Sequence, residues 1–344
     1  MKLRYYVARR LGLTVIVLLG VTTITFVLTH VIPSNPAALW AGERATAEQI
    51  AQARQELGLN QPLYVQYLDY IFDIFRGELG TSLRTRQPVL KDLVTLFPAT
   101  FELVLVSMLI ATAVGIPLGV ISAQYRNTLP DHFTRFFSLS GVSIPVFWLG
   151  MMLQILFFSS LGWLPLQGRV ASDVVAAHPL DKITGLLLVD ALIQLNIPVF
   201  ISGLKHIILP AVSLSYASLA IITRMSRSSM LEVMQEEYMQ VHKASGLPSR
   251  TIVYKFGLKN SLYSVLTVIG LSFGYLLGGT VLIESIFSWP GLGRYIVQSI
   301  FTADFPAVMG VTLVFATSYT LINLLVDVSY AWLNPRIRAE GGES

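Results

Sequence analysis

Residues 11–32 read LGLTVIVLLGVTTITFVLTHVI, a run of about 22 residues without an acidic, lysine or arginine side chain. An α-helix needs about 20 apolar residues to cross the ~30 Å hydrocarbon core of a bilayer. Four basic residues lie within positions 1–10, as in a secretory signal peptide. The apolar part of a cleavable signal is usually only about 7–15 residues long. The stretch therefore predicts a retained transmembrane helix.

The composition of the whole chain also indicates that lipid is its main solvent. Of its 344 residues, 53% are hydrophobic and only 13% are charged, whereas soluble globular proteins carry about 25% charged residues. The net charge of +4 is not clustered as nucleic-acid binding requires, so we expect no nucleic-acid partner. The chain has no cysteine, which excludes disulfides, thiolate metal sites and a cysteine nucleophile.

Five further apolar stretches complete a predicted set of six spans, at roughly 11–32, 98–123, 136–161, 207–224, 262–285 and 306–331. Pro117, Pro145 and Pro210 lie within predicted spans, where neighbouring helices can satisfy the freed backbone groups. The sequence thus predicts an all-α integral membrane protein.

The distribution of basic residues predicts the orientation of these spans. With the N-terminus in the cytoplasm, the cytoplasmic segments carry 14 Lys/Arg and 6 Asp/Glu, and the external segments carry 10 and 11. Cytoplasmic loops of membrane proteins carry an excess of Lys and Arg. Both termini are therefore expected in the cytoplasm.

The spans and loops divide the chain into four predicted regions: the cytoplasmic N-terminus with the first span (1–32), an external helical insertion (33–97), the remaining spans with a cytoplasmic loop at 224–260 (98–331), and a cytoplasmic tail (332–344). Within the insertion, Thr46 and Gln49 form a predicted capping box before a helix that stops at Gly58. Apolar side chains at helical spacing from Leu63 to Ile74 predict a second helix. Residues 162–206 are expected to form an irregular external cap.

The cytoplasmic loop contains QEEYMQVHKASGLPSR at 235–250. An ideal helix over 230–244 places apolar side chains on one side and charged ones on the other, and Gly246 ends it. This pattern predicts a short helix along the membrane followed by a sharp turn. A helix that contacts only lipid has the same periodicity, so periodicity alone leaves both readings open.

Two carboxylates, Glu102 and Glu284, lie near the outer ends of predicted spans, where burying a charge is less costly than at the bilayer centre. They either meet a substrate ammonium group at an outer gate, or pair with a buried arginine or cap a helix. Small residues also recur at four-residue spacing, which predicts close helix packing, with the lining of a narrow path as the alternative; they are Gly115, Gly119, Gly270, Gly274 and Gly278.

Catalytic and metal-binding motifs are missing from the sequence. A nucleotide-binding P-loop needs Gly-Lys followed by Ser or Thr, and the chain has no Gly-Lys pair. The five histidines are scattered and predict no metal site. The chain is therefore not expected to be an enzyme by itself.

Several stretches resemble the permease subunits of binding-protein-dependent ABC importers in the dipeptide, oligopeptide and nickel branch. The loop RMSRSSMLEVMQEEYMQVHKASGLPSRTIVYKFGLKNSL resembles the loop that holds that family's ATPase-docking motif. More specific matches are ESIFSWPGLGR at 284–294, FPATFELVLVSMLIATAVGIPLGV, SIPVFWLGMML, HIILPAVSLS, LINLLVDVSYAWLNPRIR and LGLNQPLYVQYLDYIFDIFRGELGTS. The resemblance covers nearly the whole chain and is nearest to the B-type of the two permease subunits. It implies a type I importer permease fold with an outer helical insertion.

The resemblance also implies partners and a place in the cell. It implies a homologous second permease, two ABC ATPases, an external or periplasmic solute-binding protein and contact with membrane lipid. The chain itself would bind no cofactor, and ATP and Mg would be used by the partner ATPases. The location would be the cytoplasmic (inner) membrane of a bacterium or archaeon.

The resemblance further implies two groups of functional residues. The ATPase-coupling group is Glu237, Tyr238, Val241, His242, Ala244, Gly246 and Leu247. The group at the outer gate or translocation path is Glu102, Glu284, Phe287, Trp289, Pro290, Gly291, Gly293 and Arg294. The chain departs from the branch at His242, which stands where the branch usually has a small residue.

The expected substrate is a dipeptide or oligopeptide, and the same class of importer also takes nickel, glutathione or other small solutes. A secondary transporter working alone is a rival interpretation, which predicts ion-coupled uptake without an ATPase. A non-transporting scaffold or receptor, with 33–97 as its ligand domain, is another.

Overall fold

The computed structural model describes residues 3–31, 36–42 and 44–333, and this part of the chain is an assembly of helices without an extended sheet. Residues 32–35 and 43 near and within the predicted insertion, and 334–344 of the predicted tail, lie outside the described residues. The helices are α1 Leu3–Val31, α2 Pro36–Ala41, α3 Ala47–Glu56, α4 Leu63–Arg76, α5 Val89–Gln124, α6 Leu129–Ser143, α7 Val146–Gln154, α8 Ser172–Ala177, α9 Leu187–Ile193, α10 Ile197–Val233, α11 Glu237–Ala244, α12 Leu258–Ile286, α13 Leu292–Phe301 and α14 Phe305–Leu333.

Five helical segments of the described chain are long and apolar enough to cross a bilayer. They lie in α1, α5, α10, α12 with the π-helical turn Thr251–Gly257 before it, and α14. The bent pair of α6 with α7 and its π-helical continuation Ile155–Ser160 passes the same test as a unit. Counted as one span, this pair brings the described chain to the predicted set of six.

The third span is not the single helix over 136–161 that its apolar run predicts. α6 and α7 meet at a 106° bend, and the break falls on Ile144 and Pro145. Proline lacks an N–H and disfavours a helical conformation at the residue before it. Pro145 therefore begins a new helix here, whereas Pro117 and Pro210 lie inside continuous helices.

The fourth span is much longer than the predicted 207–224, because α10 has 37 residues. At 1.5 Å per residue it is about 55 Å long, so it extends beyond the hydrocarbon core. Buried serines and threonines lower its hydropathy, but Ser213 and Thr223 each donate their hydroxyl to the carbonyl one turn earlier. Hydropathy alone therefore underestimates the length of a helix that carries buried hydroxyl groups, such as α10.

One expected boundary falls inside a helix, and one expected helix is interrupted. α5 begins at Val89, so the expected end of the insertion at residue 97 lies within that helix. The single helix expected over 230–244 is interrupted, because α10 ends at Val233 and α11 begins at Glu237. A turn at 234–236 therefore separates the long span from the short helix.

The predicted insertion helices are present as α3 and α4. Thr46 and Gln49 form the predicted reciprocal capping box, and Gly58 follows α3 with a φ of +65°. The insertion rests on the first span through aromatic contacts, because the Phe26 ring lies 5.3 Å from Tyr67 and 6.1 Å from Tyr70. Burial raises the pKa of Tyr70 above its ordinary value.

α10 lies at the centre of the bundle, in contact with α5, α6, α7, α9 and α12. Its contact with α5 depends on Gly115 and Gly119. A Cβ atom on Gly119 would lie 2.6 Å from the Thr223 carbonyl oxygen and 3.0 Å from the Arg227 nitrogen. Gly270 and Gly274 make similar contacts with α14, whereas a Cβ atom on Gly278 would meet no atom within 4 Å. Close packing is confirmed for four of the five glycines.

We expect Gly119→Ala to lower the free energy of unfolding of the purified chain by about 1–3 kcal/mol, because the new methyl group overpacks the α5–α10 contact. The measurement is the midpoint of thermal unfolding in mild detergent. Gly20→Ala is the matched control, since its Cβ atom would meet nothing within 4 Å on another helix. Equal melting temperatures for both variants would contradict the packing role of Gly119.

Candidate functional site

Two ends of the helical bundle carry the predicted functional residues. We call the end with residues 161–196 and α13 the cap end, and the end with α11 the α11 end. The α12 span connects them, because the α11 segment precedes its first residue and the stretch 284–294 follows its last turn.

At the cap end, Glu284 is fully buried and holds the start of α13. Its Oε1 accepts the Thr100 hydroxyl at 2.6 Å, and its Oε2 accepts the Arg294 backbone N–H at 3.0 Å. The Thr100 hydroxyl oxygen in turn accepts the Leu292 N–H at 2.7 Å. The first N–H groups of a helix lack partners within it and carry partial positive charge. The carboxylate therefore caps α13.

The Glu284 carboxylate leaves no space for a side chain at position 291, which explains the glycine there. A Cβ atom at this position would lie 2.5 Å from the Glu284 carboxyl carbon. Gly293 has a similar constraint, because its Cβ atom would lie 2.8 Å from the Thr280 carbonyl oxygen. Gly291 has an extended backbone with a φ of −125°, so sterics and not backbone conformation explains the glycine.

The aromatic residues of the same stretch are buried. The Trp289 indole N–H donates to the Ala99 carbonyl at 2.9 Å, and the Phe287 carbonyl accepts the Gly168 N–H at 2.9 Å. A Cβ atom on Gly150 of α7 would lie 3.2 Å from the Phe287 ring. Residues 284–294, which we call the gate corner, therefore join α5, α7, α12, α13 and the 161–196 segment. Ser285 and Pro290 are its exposed members.

Glu102 forms a second buried carboxylate site at the cap end, and its main partner is Arg169. The Arg169 Nε and Nη2 atoms donate to Glu102 Oε2 at 3.0 and 2.6 Å, and Glu102 Oε1 accepts the Leu188 N–H at 2.7 Å. Arg169 also donates to the Gly185 carbonyl, and its guanidinium lies 6.0 Å from the centre of the Trp289 ring. We call this arrangement the cap latch, because it holds 161–196 onto α5.

The geometry favours one of the two interpretations of Glu102 and Glu284. Each carboxylate has internal donors, an arginine for Glu102 and a helix start for Glu284. In this conformation neither is free to bind a substrate ammonium group. Sequence reasoning did not identify Arg169 or Thr100, because partners so far apart in the chain leave no local signal.

The 161–196 segment has its own internal support in Asp190. Its carboxylate accepts the Thr184 N–H and hydroxyl at 2.8 and 2.6 Å, the Gly185 N–H at 3.0 Å and the Ile183 N–H at 3.3 Å. Burial raises the pKa of Asp190, but these hydrogen bonds together outweigh burial and hold the pKa below its usual range.

A further network connects the insertion to α13 and α14. Tyr295 donates its hydroxyl to Asp92 at 2.9 Å, and Ser82 donates to Asp304 at 2.5 Å. Burial raises the pKa of Tyr295, and the hydrogen bond to Asp92 adds to this shift. Asp304 also accepts the Ala307 N–H at the start of α14. Both ends of α13 are therefore fixed by side chains from other elements.

At the α11 end, most of the predicted coupling residues point away from the protein. Glu237, Tyr238, Val241, Ala244 and Gly246 are exposed, and His242 and Leu247 are partly exposed. Partial burial raises the pKa of Tyr238. Gly246 adopts a φ of +70°, so it ends the helix as its position in the sequence predicts.

The opposite side of α11 is packed against the protein. Met239 is fully buried. The His242 ring stacks on Phe256 with centroids 4.1 Å apart, and the Tyr238 ring meets His242 edge-on at 6.4 Å. His242, the residue that departs from the branch, thus anchors α11 to the turn before α12.

Comparison with known proteins identifies the family. The profile of the binding-protein-dependent transport system inner membrane component matches residues 115–339, and the N-terminal profile of the same system's membrane component matches residues 2–104. The chain belongs to this permease family.

Three relatives show how closely the permease matches named members. It is 47% identical over 329 residues to the probable D,D-dipeptide transport system permease protein of Escherichia coli K12, with 96% of each chain covered. It is 44% identical to the dipeptide transport system permease protein of Alkalihalophilus pseudofirmus, with 97% of this chain and 99% of the relative covered. It is 38% identical to the glutathione transport system permease protein of Salmonella typhimurium, with 98% and 99% covered. The permease is thus an inner-membrane transport component and not a catalyst.

We expect Gly291→Ala to lower the free energy of unfolding of the permease by about 1–3 kcal/mol, because the added Cβ displaces the Glu284 carboxylate from α13. The measurement is thermal unfolding in detergent. Glu284→Asp shortens the side chain by one methylene group and makes room for the methyl. The double variant should therefore recover part of the loss relative to Gly291→Ala. Strictly additive losses would contradict the steric account.

Asp190 predicts a pH dependence with a defined sign. Because its folded pKa is depressed, its stabilisation is present above the unfolded pKa of about 4 and is lost as the pH falls through the folded pKa. The melting temperatures of the permease and of Asp190→Asn should differ most at neutral pH and converge below about pH 4.

Asp173→Asn removes an exposed carboxylate of the same segment and is the control, with little difference expected at any pH. If the difference in melting temperature between the permease and Asp190→Asn stays constant or widens on acidification, the lowered pKa assigned to Asp190 is refuted.

Proposed function

We propose that this permease is one of two membrane subunits of an ATP-driven importer of dipeptides or oligopeptides. The other components are a homologous second permease, two ABC ATPases that use ATP and Mg, and an external solute-binding protein that delivers the substrate. The observation that carries the proposal is the packing of α11. This short helix follows the long helix α10, exposes one side, and buries Met239 on its other side against the protein.

The arrangement of α11 supports an ATPase contact. An interfacial helix that contacts only lipid places its apolar side in the membrane, whereas α11 packs its apolar Met239 against the protein. Its exposed side carries Glu237 and Lys243 together with Tyr238 and Val241. Its buried Met239 and the stacked His242 fix its orientation. We infer that residues 237–250 dock in a groove of an ATPase, which supplies the nucleotide site that this sequence does not predict.

The charge distribution supports the orientation of the complex. We infer that the α11 end and both termini face the cytoplasm, since the segments assigned to that side carry 14 of the 24 Lys and Arg residues. The cap end then faces outward, where a binding protein delivers its substrate.

The gate corner and the cap latch support a role at the outer opening of the path. Glu284, Trp289 and Gly291 hold α13 against α5, and Arg169 holds the cap onto Glu102. In this conformation the cap end is tied together by side-chain contacts between separate elements. We infer that breaking the contacts of the cap latch opens the path to substrate.

The relatives support a peptide substrate. The relatives at 47% and 44% identity are named for D,D-dipeptide and dipeptide transport, and the glutathione permease is at 38%. Glutathione is therefore the second candidate substrate. In this class of transporter, the external binding protein selects the substrate.

The test is a cysteine scan of residues 238–248 in cells. Each introduced cysteine is the only one in the permease, because the chain has no native cysteine. Cysteines at the exposed Tyr238, Val241 and Ala244 should crosslink to an ATPase subunit. Met239→Cys is the matched control, since this position is fully buried and should not react.

Purification of the crosslinked permease in mild detergent should also recover a second six-span chain and two ATPases, identified by mass spectrometry. Recovery of the permease alone, with no ATPase crosslinked at any scanned position, would favour a transporter that works without ATPases and would refute the proposal.

A further inference from the structure

Asp131 is a fully buried carboxylate outside both groups of predicted functional residues. It lies in the first turn of α6 and accepts four hydrogen bonds: from the Ser122 hydroxyl at 2.6 Å, the Asn127 N–H at 2.9 Å, and Arg227 Nε and Nη2 at 2.8 and 3.0 Å. The guanidinium therefore engages both carboxylate oxygens, the strong and directional form of an ion pair.

The donors to Asp131 come from separate elements. Ser122 lies near the end of α5, Asn127 in the turn that follows, and Arg227 on α10 six residues before its end at Val233. Arg227 also borders the close α5–α10 contact, because its backbone nitrogen faces Gly119. One carboxylate thus joins α5, α6 and α10 at the α11 end.

The apolar packing at this end does not make the same connection. The hydrophobic cluster here combines α5, α10 and residues 251–258, through Val120, Ala123, Met230 and Val253 with their neighbours, and it contains no residue of α6. Near Asp131 the inward side of α6 is small and polar, with Thr134 buried, and the apolar contact with α10 comes farther along, where the Phe137 ring lies 5.0 Å from Tyr216 and Gly141 packs against Ala220. The ion pair therefore makes the main polar attachment of α6 to α10 near α11.

The outward side of α6 offers no alternative attachment to the part of the chain that the structure describes. Phe133, Phe136 and Leu139 are 68%, 71% and 65% exposed. An apolar surface in a bilayer gains no hydrophobic drive toward other helices, because lipid tails are equally apolar. Specific polar contacts and close packing then decide whether α6 follows α10.

The α6–α7 pair connects to both candidate sites. At the start of α6, Asp131 binds Arg227, and the last turns of α10 lead from Arg227 to the turn at 234–236 and α11. At the other end, Gly150 of α7 packs against Phe287 of the gate corner. A displacement of α11 that moves α10 can therefore reach the gate corner through this pair, provided that α6 moves with α10.

We propose that Asp131 and Arg227 are positioning residues that make α6 move together with α10, so that displacement of α11 is carried through the α6–α7 pair to the gate corner. This inference rests on the proposed docking of α11 on an ATPase. Neither residue touches substrate or nucleotide, and their effect is on the coupling of ATP hydrolysis to transport.

The first experiment reconstitutes the whole complex in liposomes with its binding protein and measures substrate molecules transported per ATP hydrolysed. Asp131→Asn should lower this ratio about fivefold or more, with ATP hydrolysis within about twofold of the unmodified complex, since coupling free energies between sites typically correspond to factors of about 5–150. Asp73→Asn is the matched control, because it neutralises an exposed pair with Arg76 at 3.9 Å and should leave the ratio unchanged.

Two milder variants keep the inference testable if the Asp131→Asn complex does not assemble. Arg227→Lys keeps the charge but loses the two-pronged geometry, and Ser122→Ala keeps the ion pair and removes one hydrogen bond. The ratio should fall clearly in Arg227→Lys and slightly in Ser122→Ala. A ratio at the unmodified value in assembled Arg227→Lys or Asp131→Asn complexes overturns the inference.

The second experiment separates this inference from the proposed function. Cysteines that replace the exposed His132 of α6 and Ser228 of α10 carry spin labels, and their distance distribution is measured in the full chain in lipid nanodiscs. The distribution should be narrow with Asp131 intact and broad in Asp131→Asn. If no ATPase binds the permease, the proposed function fails while this measurement still tests the Asp131–Arg227 pair. An unchanged distribution in Asp131→Asn refutes the role of the pair.

Discussion

The close approach of α5 and α10 is the contact on which both ends of the permease depend. It is possible because Gly115 and Gly119 leave no side chain between the two backbones, so that Gly119 lies directly against the Thr223 carbonyl and the Arg227 nitrogen. α5 then carries Thr100 and Glu102 to the cap end. It carries Ser122 to the α11 end. A shift of α5 along α10 would therefore displace Glu102 itself together with the hydrogen-bond partners of Glu284 and Asp131.

A bilayer interior contains no water, so each buried carboxylate there must find its hydrogen-bond donor within the protein. Glu102 has Arg169, Glu284 has the start of α13, and Asp131 has Arg227. Many buried hydroxyls meet the same requirement by donating to the carbonyl one turn earlier. Among the described residues, four buried serine hydroxyls have no such partner. One of them, Ser226, lies at the α5–α10 contact, where a small side chain permits the close approach.

The features that could be predicted from the sequence are those that depend on local patterns of residues. Apolar length predicts the spans, the Thr46–Gln49 capping box predicts the start of α3, and Gly246 predicts the end of α11. The 106° bend at Pro145 and the full length of α10 could not be predicted, because tertiary contacts decide whether a proline is tolerated and whether polar residues are buried. The Glu102–Arg169 pair is likewise invisible to periodicity, since it joins residues 67 positions apart.

The two buried arginine–carboxylate pairs of the described chain have different mechanical consequences. Arg169 belongs to the 161–196 segment, which Asp190 holds together from within, so the cap latch can separate while the segment stays folded. Arg227 belongs to the long helix α10, and Asp131 to the first turn of α6, so that pair can separate only if two spans move apart. In the proposed importer, we therefore assign opening by exchange of partners to the cap end and transmission of displacement to the Asp131–Arg227 pair, because a loose connection between α6 and α10 would leave ATP hydrolysis unconnected to transport.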